Sequence, residues 1–210
     1  MKAIRILAAM ILATTLTNSL VFAKDTKKTD AKSATSATLL KMPVTGQIKW
    51  TGYGVGKEHR GSIQVKTGEI EMKGNDPVKG KILFDMPSLT TPDSDRLQGH
   101  LRSPDFFDVV KFPEATYEIK SVEVIQNPLA GQPTHKLNGD LTIKGKTQPL
   151  VTMAVIKKEG SGFTAKGTTE IPDRTKYDVV YNSAQFKSLS ALGDKMIKDN
   201  ITIEFDVKTK

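Results

Sequence analysis

Apolar residues recur at every second position through most of the chain, the spacing of half-buried strands. Val44, Ile48 and Trp50 share one parity, Ile63 and Val65 begin a second run, and Ile70 and Met72 a third. Ile82, Phe84 and Met86 alternate with polar or smaller neighbours. Tyr117 and Ile119 are followed out of phase by Val122 and Val124, which predicts a bulge. Leu137, Leu141 and Ile143 alternate, then Val151, Met153 and Val155, then Phe163, Ala165, Thr169 and Ile171. Ile201, Ile203, Phe205 and Val207 close the chain. Turn residues punctuate these runs at Thr67-Gly68, Gly74-Asn75-Asp76-Pro77, Asn127-Pro128, Gly145-Lys146 and Gly160-Ser161-Gly162. About eight or nine short strands with tight turns predict an antiparallel sheet, closed as a barrel or folded as a sandwich. The strongly patterned last strand is expected to pair back to the first and remove the edges.

One stretch breaks the alternation. Thr91-Pro92 or Ser94 is able to cap a helix, and Leu97 and Leu101, four apart, give it an apolar stripe. Ser103-Pro104-Asp105 then opens a single turn carrying Phe106 and Phe107. Three of the chain's eight phenylalanines (Phe106, Phe107 and Phe112) fall within seven positions of a segment too rich in turn residues to be a strand. Their surface must be buried against something. A helix and an aromatic hook between two strands predict a plug over an apolar cavity.

The first forty residues follow other rules. Lys2 and Arg5 precede a short apolar run from Ile6 to Leu16, below the roughly 20 residues of a membrane span. Val21-Phe22-Ala23 suits a signal peptidase, so residues 1–23 read as a secretory signal peptide. Residues 24–40 read as a disordered polar tether, and 41–210 as one domain. The net charge of +8 falls to +3 over residues 42–210, because the signal and the tether hold most of the excess lysine. That is too weak and too dispersed for a nucleic-acid footprint. The basic tether suits an anionic membrane surface or serves simply as a solvated spacer.

Several chemistries drop out. There is no cysteine, hence no disulfide, thiolate metal site or Cys nucleophile. His59, His100 and His135 are far apart and share no metal-ligand spacing, so no metal and no cofactor is expected. Gly145-Lys146-Thr147 lacks the upstream glycine and the following helix of a phosphate loop, and Gly52 to Gly56 lacks a dinucleotide fingerprint. Asp105 and Asp108 read as capping carboxylates rather than an acid–base pair. No serine sits in a nucleophile elbow. The chain is not expected to be an enzyme, and no catalytic residue is assigned.

Four segments, taken together, resemble the YceI-like, polyisoprenoid-binding family of exported bacterial proteins. They are Leu97 to Pro113, containing His-Leu-Arg-Ser-Pro-Asp-Phe-Phe-Asp; Leu137 to Pro149, containing Gly-Asp-Leu-Thr; Asp85 to Thr91; and Ile171 to Tyr177 with Asp173-Arg174. The resemblance runs from about Val44 to Val207. It departs at the start, where Trp50 to Ser62 lacks the family's usual Asp-x-x-His-Ser opening. It implies an all-β fold: an eight-stranded antiparallel, lipocalin-like barrel with the short helix and hook inserted between strands. The implied ligand is a long isoprenoid, either a polyprenyl phosphate or an isoprenoid quinone, held by a periplasmic carrier or sequestering protein. A transient membrane-surface contact and a homodimer are left open as further partners.

If one strand parity faces inward, the candidate walls are Trp50, Ile63, Val65, Ile82, Phe84, Tyr117, Ile119, Leu141, Met153, Phe163 and Phe205. Leu97, Leu101, Phe106 and Phe107 form the plug. His100 and Arg102 are the candidates for a headgroup contact, with His100 equally readable as a side chain satisfied within the fold. Burying a methylene contributes roughly 0.8 kcal/mol, so apolar walls rather than a polar anchor would carry the affinity. Two alternatives stand beside this reading. One is a stress-response or interaction module whose eight strands are packed solid; the other is an enzyme at the barrel mouth using His100 and Asp105.

Overall fold

The computed structural model describes residues 39–209. The expected signal peptide and almost all of the tether lie outside them. Eight strands follow in order: β1 (Leu40–Gly54), β2 (Lys57–Lys73), β3 (Asp76–Thr90), β4 (Glu114–Val124), β5 (His135–Ile143), β6 (Lys146–Glu159), β7 (Gly162–Ile171) and β8 (Ile197–Thr209). Each pairs antiparallel with its sequence neighbours, and β8 pairs with β1 to close a barrel. Closure gives every strand one face on the lumen, which the alternation suits, and leaves no edge open. The ladder turns tightly where the chemistry allows it. At Lys144-Gly145, between β5 and β6, both residues have positive φ (48° and 72°), the geometry of a two-residue hairpin turn whose twist matches the strands.

The expected turn at Thr67-Gly68 is not a turn. The runs on either side of it belong to one strand, β2, and a register slip between Val65 and Thr67 marks a bulge. That bulge explains why the two runs differ in phase. The bulge expected between Ile119 and Val122 is present, as a slip between Ile119 and Ser121.

Two connections at one end of the barrel carry extra structure. Between β3 and β4 lies α1 (Asp95–Arg102), capped by Ser94, whose hydroxyl accepts from the Leu97 backbone N–H. Between β7 and β8 lie a 3-10 turn (Arg174–Tyr177), α2 (Leu189–Leu192) and a second 3-10 turn (Gly193–Lys195). The β1–β2 and β5–β6 turns open at this same end, as the up-and-down order requires. The outer wall carries cross-strand ion pairs such as Lys41–Glu69 at 2.7 Å, Lys66–Glu114 at 2.7 Å and Lys166–Asp206 at 2.8 Å. A charged exterior around an apolar lumen is the reverse of a membrane-spanning barrel.

Candidate functional site

The lumen is hollow. It encloses a cavity of about 470 Å³ with almost wholly apolar walls, inside the range of about 300–1,000 Å³ usual for small-molecule sites. An eight-stranded barrel is narrow enough to be filled by its own side chains, so the hollow needs a cause. The cause is where the large rings lie. The Trp50 indole lies over Gly61, its cross-strand partner, and Phe205 lies over Gly167 in the same relation. A Cβ at Gly61 would stand 2.6 Å from the indole, and one at Gly167 would stand 2.5 Å from the Phe205 ring. Missing side chains on one strand let the rings of the next lie flat against the wall instead of crossing the lumen. Tyr117 leans over Gly139 in a similar way, and its hydroxyl donates to the carbonyls of Leu150 at 3.1 Å and Leu137 at 3.3 Å. Burial pushes the Tyr117 phenol above its ordinary pKa, so it stays a neutral donor.

The helix and hook close over one end. Leu97, Leu101, Phe106 and Phe107 all face the cavity. After α1 the chain doubles back through hydrogen bonds from Phe107 N–H to Leu101 C=O (3.1 Å) and from Val109 N–H to Arg102 C=O (3.0 Å), with Asp108 at φ 47° making the reversal. The hook meets the β7–β8 connection through three rings. His100 packs edge-on against Phe106 and against Tyr181, with centroids 5.0 and 4.8 Å apart. His100 Nε2 also lies 3.0 Å from Asp105 Oδ2.

Arg174 anchors the β7–β8 connection. It is buried, and its guanidinium donates to the carbonyls of Val179, Tyr181, Ile197 and Lys198, with Asp199 3.4 Å away. Burial lowers its pKa, while the carboxylates of Asp199 and Asp173 oppose the shift. At the rim stand Lys57, Lys195 and Lys198, with Lys198 Nζ 6.0 Å above the Tyr53 ring. His59, on the same rim, is held by Asp93 at 2.6 Å.

The structure gathers most of the expected site residues around one space. Trp50, Ile63, Ile82 and Phe84 line the cavity from β1 to β3, and Tyr117, Ile119, Leu141, Phe163 and Phe205 line it from β4 to β8. His100 lines it too. Four assignments are corrected. Met153 is 36% exposed on the outer face, while its neighbour Ala154 is fully buried. β6 is apolar at both parities, and its register settles the matter: Thr152 pairs with Leu137, which faces inward. Leu150, Thr152 and Ile156 are therefore the β6 wall. Val65 packs against the core beside the β2 bulge but does not line the cavity. Arg102 does not line the cavity; its Nε and Nη2 donate to the Leu89 carbonyl at 3.0 and 2.7 Å and tie α1 to β3. Asp105 faces His100 rather than capping a backbone N–H.

Tyr181, Lys57, Lys195 and Lys198 were not expected at the site. Tyr181 and Lys195 belong to the β7–β8 connection, and Lys57 and Lys198 stand at the starts of β2 and β8, outside the alternating runs, so no periodic signal marks them. Among the described residues no cluster of three His, Asp or Glu is placed to hold a metal ion. The His100–Asp105 pair has no nucleophile assigned to it. The arrangement suits enclosure of an apolar chain.

A family model described as "YceI-like domain" matches residues 25–209. A UPF0312 protein of Pseudomonas savastanoi pv. phaseolicola is 34% identical over 82 residues, which cover 35% of this chain and 40% of that relative. The match thus spans well under half of that relative's length. Among solved structures, BcnA of Burkholderia cenocepacia superposes with a TM-score of 0.62 at 17% identity, covering 79% of this chain and 96% of that one. A polyisoprenoid binding domain from Saccharophagus degradans, implicated in plant cell wall breakdown, superposes with a TM-score of 0.56 at 10% identity, covering 82% and 99%. At these identities the two structures establish the shared fold.

Proposed function

The chain belongs to the YceI-like family, and on that premise we propose that its barrel holds a long isoprenoid chain as a periplasmic carrier or sequestering protein. One observation carries the reading: a closed barrel with an apolar hollow of about 470 Å³ that runs past residues of every strand. The polyisoprenoid-binding neighbour with the same fold supports the ligand class. Each buried methylene contributes roughly 0.8 kcal/mol, whereas association costs about 4–15 kcal/mol, so several isoprene units must enter for secure binding. A polyprenyl phosphate or an isoprenoid quinone meets that need, with its polar head at the rim beside Lys57, Lys195 and Lys198. The protein acts by enclosure, without catalysis. Export follows from a signal peptide cut after Ala23, which N-terminal sequencing of the mature protein checks.

The deciding test is native mass spectrometry of the purified protein, followed by organic extraction. A co-purifying prenyl lipid is the expected result. Repeated lipid-free preparations that also fail to take up a prenyl quinone would overturn the reading.

A further inference from the structure

The end of the barrel that bears the plug carries exposed apolar side chains on three separate connections. They are Val55 in the β1–β2 turn, Val110 after the hook, and Phe186 and Leu189 between β7 and β8, exposed by 46%, 93%, 60% and 67%. None of the four lines the cavity. Each has a lysine within two positions: Lys57 follows Val55, Lys111 follows Val110, and Lys187 lies between Phe186 and Leu189. Lys195 and Lys198 add to the same rim.

Charge at this end is partitioned. Asp178 is paired with Lys144 and Asp199 with Arg174, while Asp93 and Asp105 are each hydrogen-bonded to a histidine ring, His59 and His100. Among the described residues Lys57, Lys111, Lys187, Lys195 and Lys198 form no ion pair, while at this end Asp95, Asp108, Glu170, Asp173 and Asp194 are carboxylates without one, Asp173 being hydrogen-bonded to Thr175 and Gln185 and Glu170 to Asn200. The Lys187 ammonium lies 5.4 Å over the Tyr181 ring, and Lys111 lies 5.3 Å over Phe112. The opposite end also exposes Leu39, Leu40, Val124 and Leu129, but Lys41 beside the first two is paired with Glu69 and Glu71, and the β4–β5 connection has no lysine between Val124 and His135.

Apolar tips ringed by uncommitted cations are the chemistry of a surface that rests on anionic lipid. The tips enter the headgroup region, and the lysines meet the negative surface potential. We propose that this collar docks the barrel, plug end down, on an anionic membrane surface, so that a lipid passes between bilayer and lumen without crossing water. The proposal rests on the lipid-holding reading for its purpose. The four apolar tips, Lys111 and Lys187 nevertheless lie outside the cavity wall, so the two can fail independently.

The test is co-sedimentation of the mature chain with vesicles of phosphatidylglycerol and phosphatidylethanolamine, and with vesicles of phosphatidylcholine alone. All variants keep the same N-terminal lysines. The unsubstituted protein should bind the anionic vesicles, release them as salt rises, and ignore the neutral ones. Phe186→Ser with Leu189→Ser, and separately Lys111→Glu with Lys187→Glu, should each weaken binding about tenfold or more. Thermal melts check folding, and extraction checks that their lipid load is unchanged. Absence of vesicle binding by the unsubstituted chain, or equal binding by both variants, overturns the docking proposal. So does concentration-dependent dimerisation abolished by the serine pair without vesicle binding, which would assign the apolar tips to a second copy. Vesicle binding by a chain that never carries lipid would sink the cargo reading instead.

Discussion

The ring of Phe106 lies 5.2 Å from that of Tyr181, joining the hook after α1 to the connection between β7 and β8. The two segments are far apart in sequence and meet only above the lumen. His100 wedges against both rings. The plug is therefore a junction of two insertions rather than one flap. Phe106→Ala should cost about 3 kcal/mol of stability, the loss usual for a buried phenylalanine. Release of a bound prenyl lipid should accelerate alongside it. Denaturant titration and stopped-flow release to acceptor vesicles check the two effects; release at the unsubstituted rate would mean that the plug does not gate the lumen.

Ile119 lies midway along β4, opposite Gly80 on β3 and Gly139 on β5. It faces the hollow. Ile119→Trp should fill that space and cut lipid uptake by tenfold or more. Stability should stay within about 1 kcal/mol, because the added atoms enter a void instead of a packed core. A loss well beyond that would show that the lumen had no room.

Arg174 satisfies four backbone carbonyls from a buried position. Arg174→Met would remove every donor and leave those carbonyls and Asp199 without their partner. The expected loss is about 3–5 kcal/mol, as for a broken buried charge network. Arg174→Lys should rescue little of it, since an ammonium does not present the planar fork that reaches four acceptors. Melting of both variants provides the check, and full stability in the lysine variant would contradict the account.

His135 is buried, its Nδ1 2.7 Å from Thr134 Oγ1 and its Nε2 without a partner. Burial holds its pKa below the ordinary 6.5, with Asp76 opposing. Above pH 6.5 neither the folded nor the unfolded chain carries this proton, and stability is intact. As pH falls below 6.5 the unfolded chain binds the proton and the native one refuses it, so stability declines until the native pKa is reached. His135→Gln should flatten this decline between about pH 7 and pH 5. Parallel melting curves for the two proteins across that window would rule the linkage out.

The strands, the pairing of the last with the first and the inserted plug were legible in the sequence because each leaves a periodic or compositional mark, whereas the choice of barrel over sandwich rested on the family resemblance. Ile201 to Val207 announces a strand with one apolar face, and Phe106 with Phe107 announces buried rings outside the sheet. β6 was misread because Val151, Met153 and Val155 compete with Leu150, Thr152, Ala154 and Ile156; size favoured one set and pairing with β5 favoured the other. Val65 keeps the side of Ile63 and pairs with Phe84, but it stands at the edge of the β2 bulge, packed against the core outside the cavity lining, a position that periodicity does not distinguish. Arg102 and Arg174 look alike in sequence. Only the fold shows that both are consumed by carbonyls, one as a tie to β3 and the other as the anchor of a loop.

The glycines beneath Trp50 and Phe205 carry one further implication. Each ring is recessed by an absence, and no substitution at Gly61 or Gly167 removes more. Any added side chain meets backbone first, at 1.8 Å from the Thr90 oxygen or 2.3 Å from the Met153 oxygen. Only shortening of the rings themselves would widen the tube at those two levels; the glycines have nothing more to give. Mutation of the glycines is able to constrict the passage or break it, so slimmer cargo is reachable by evolution at these seats and stouter cargo is not.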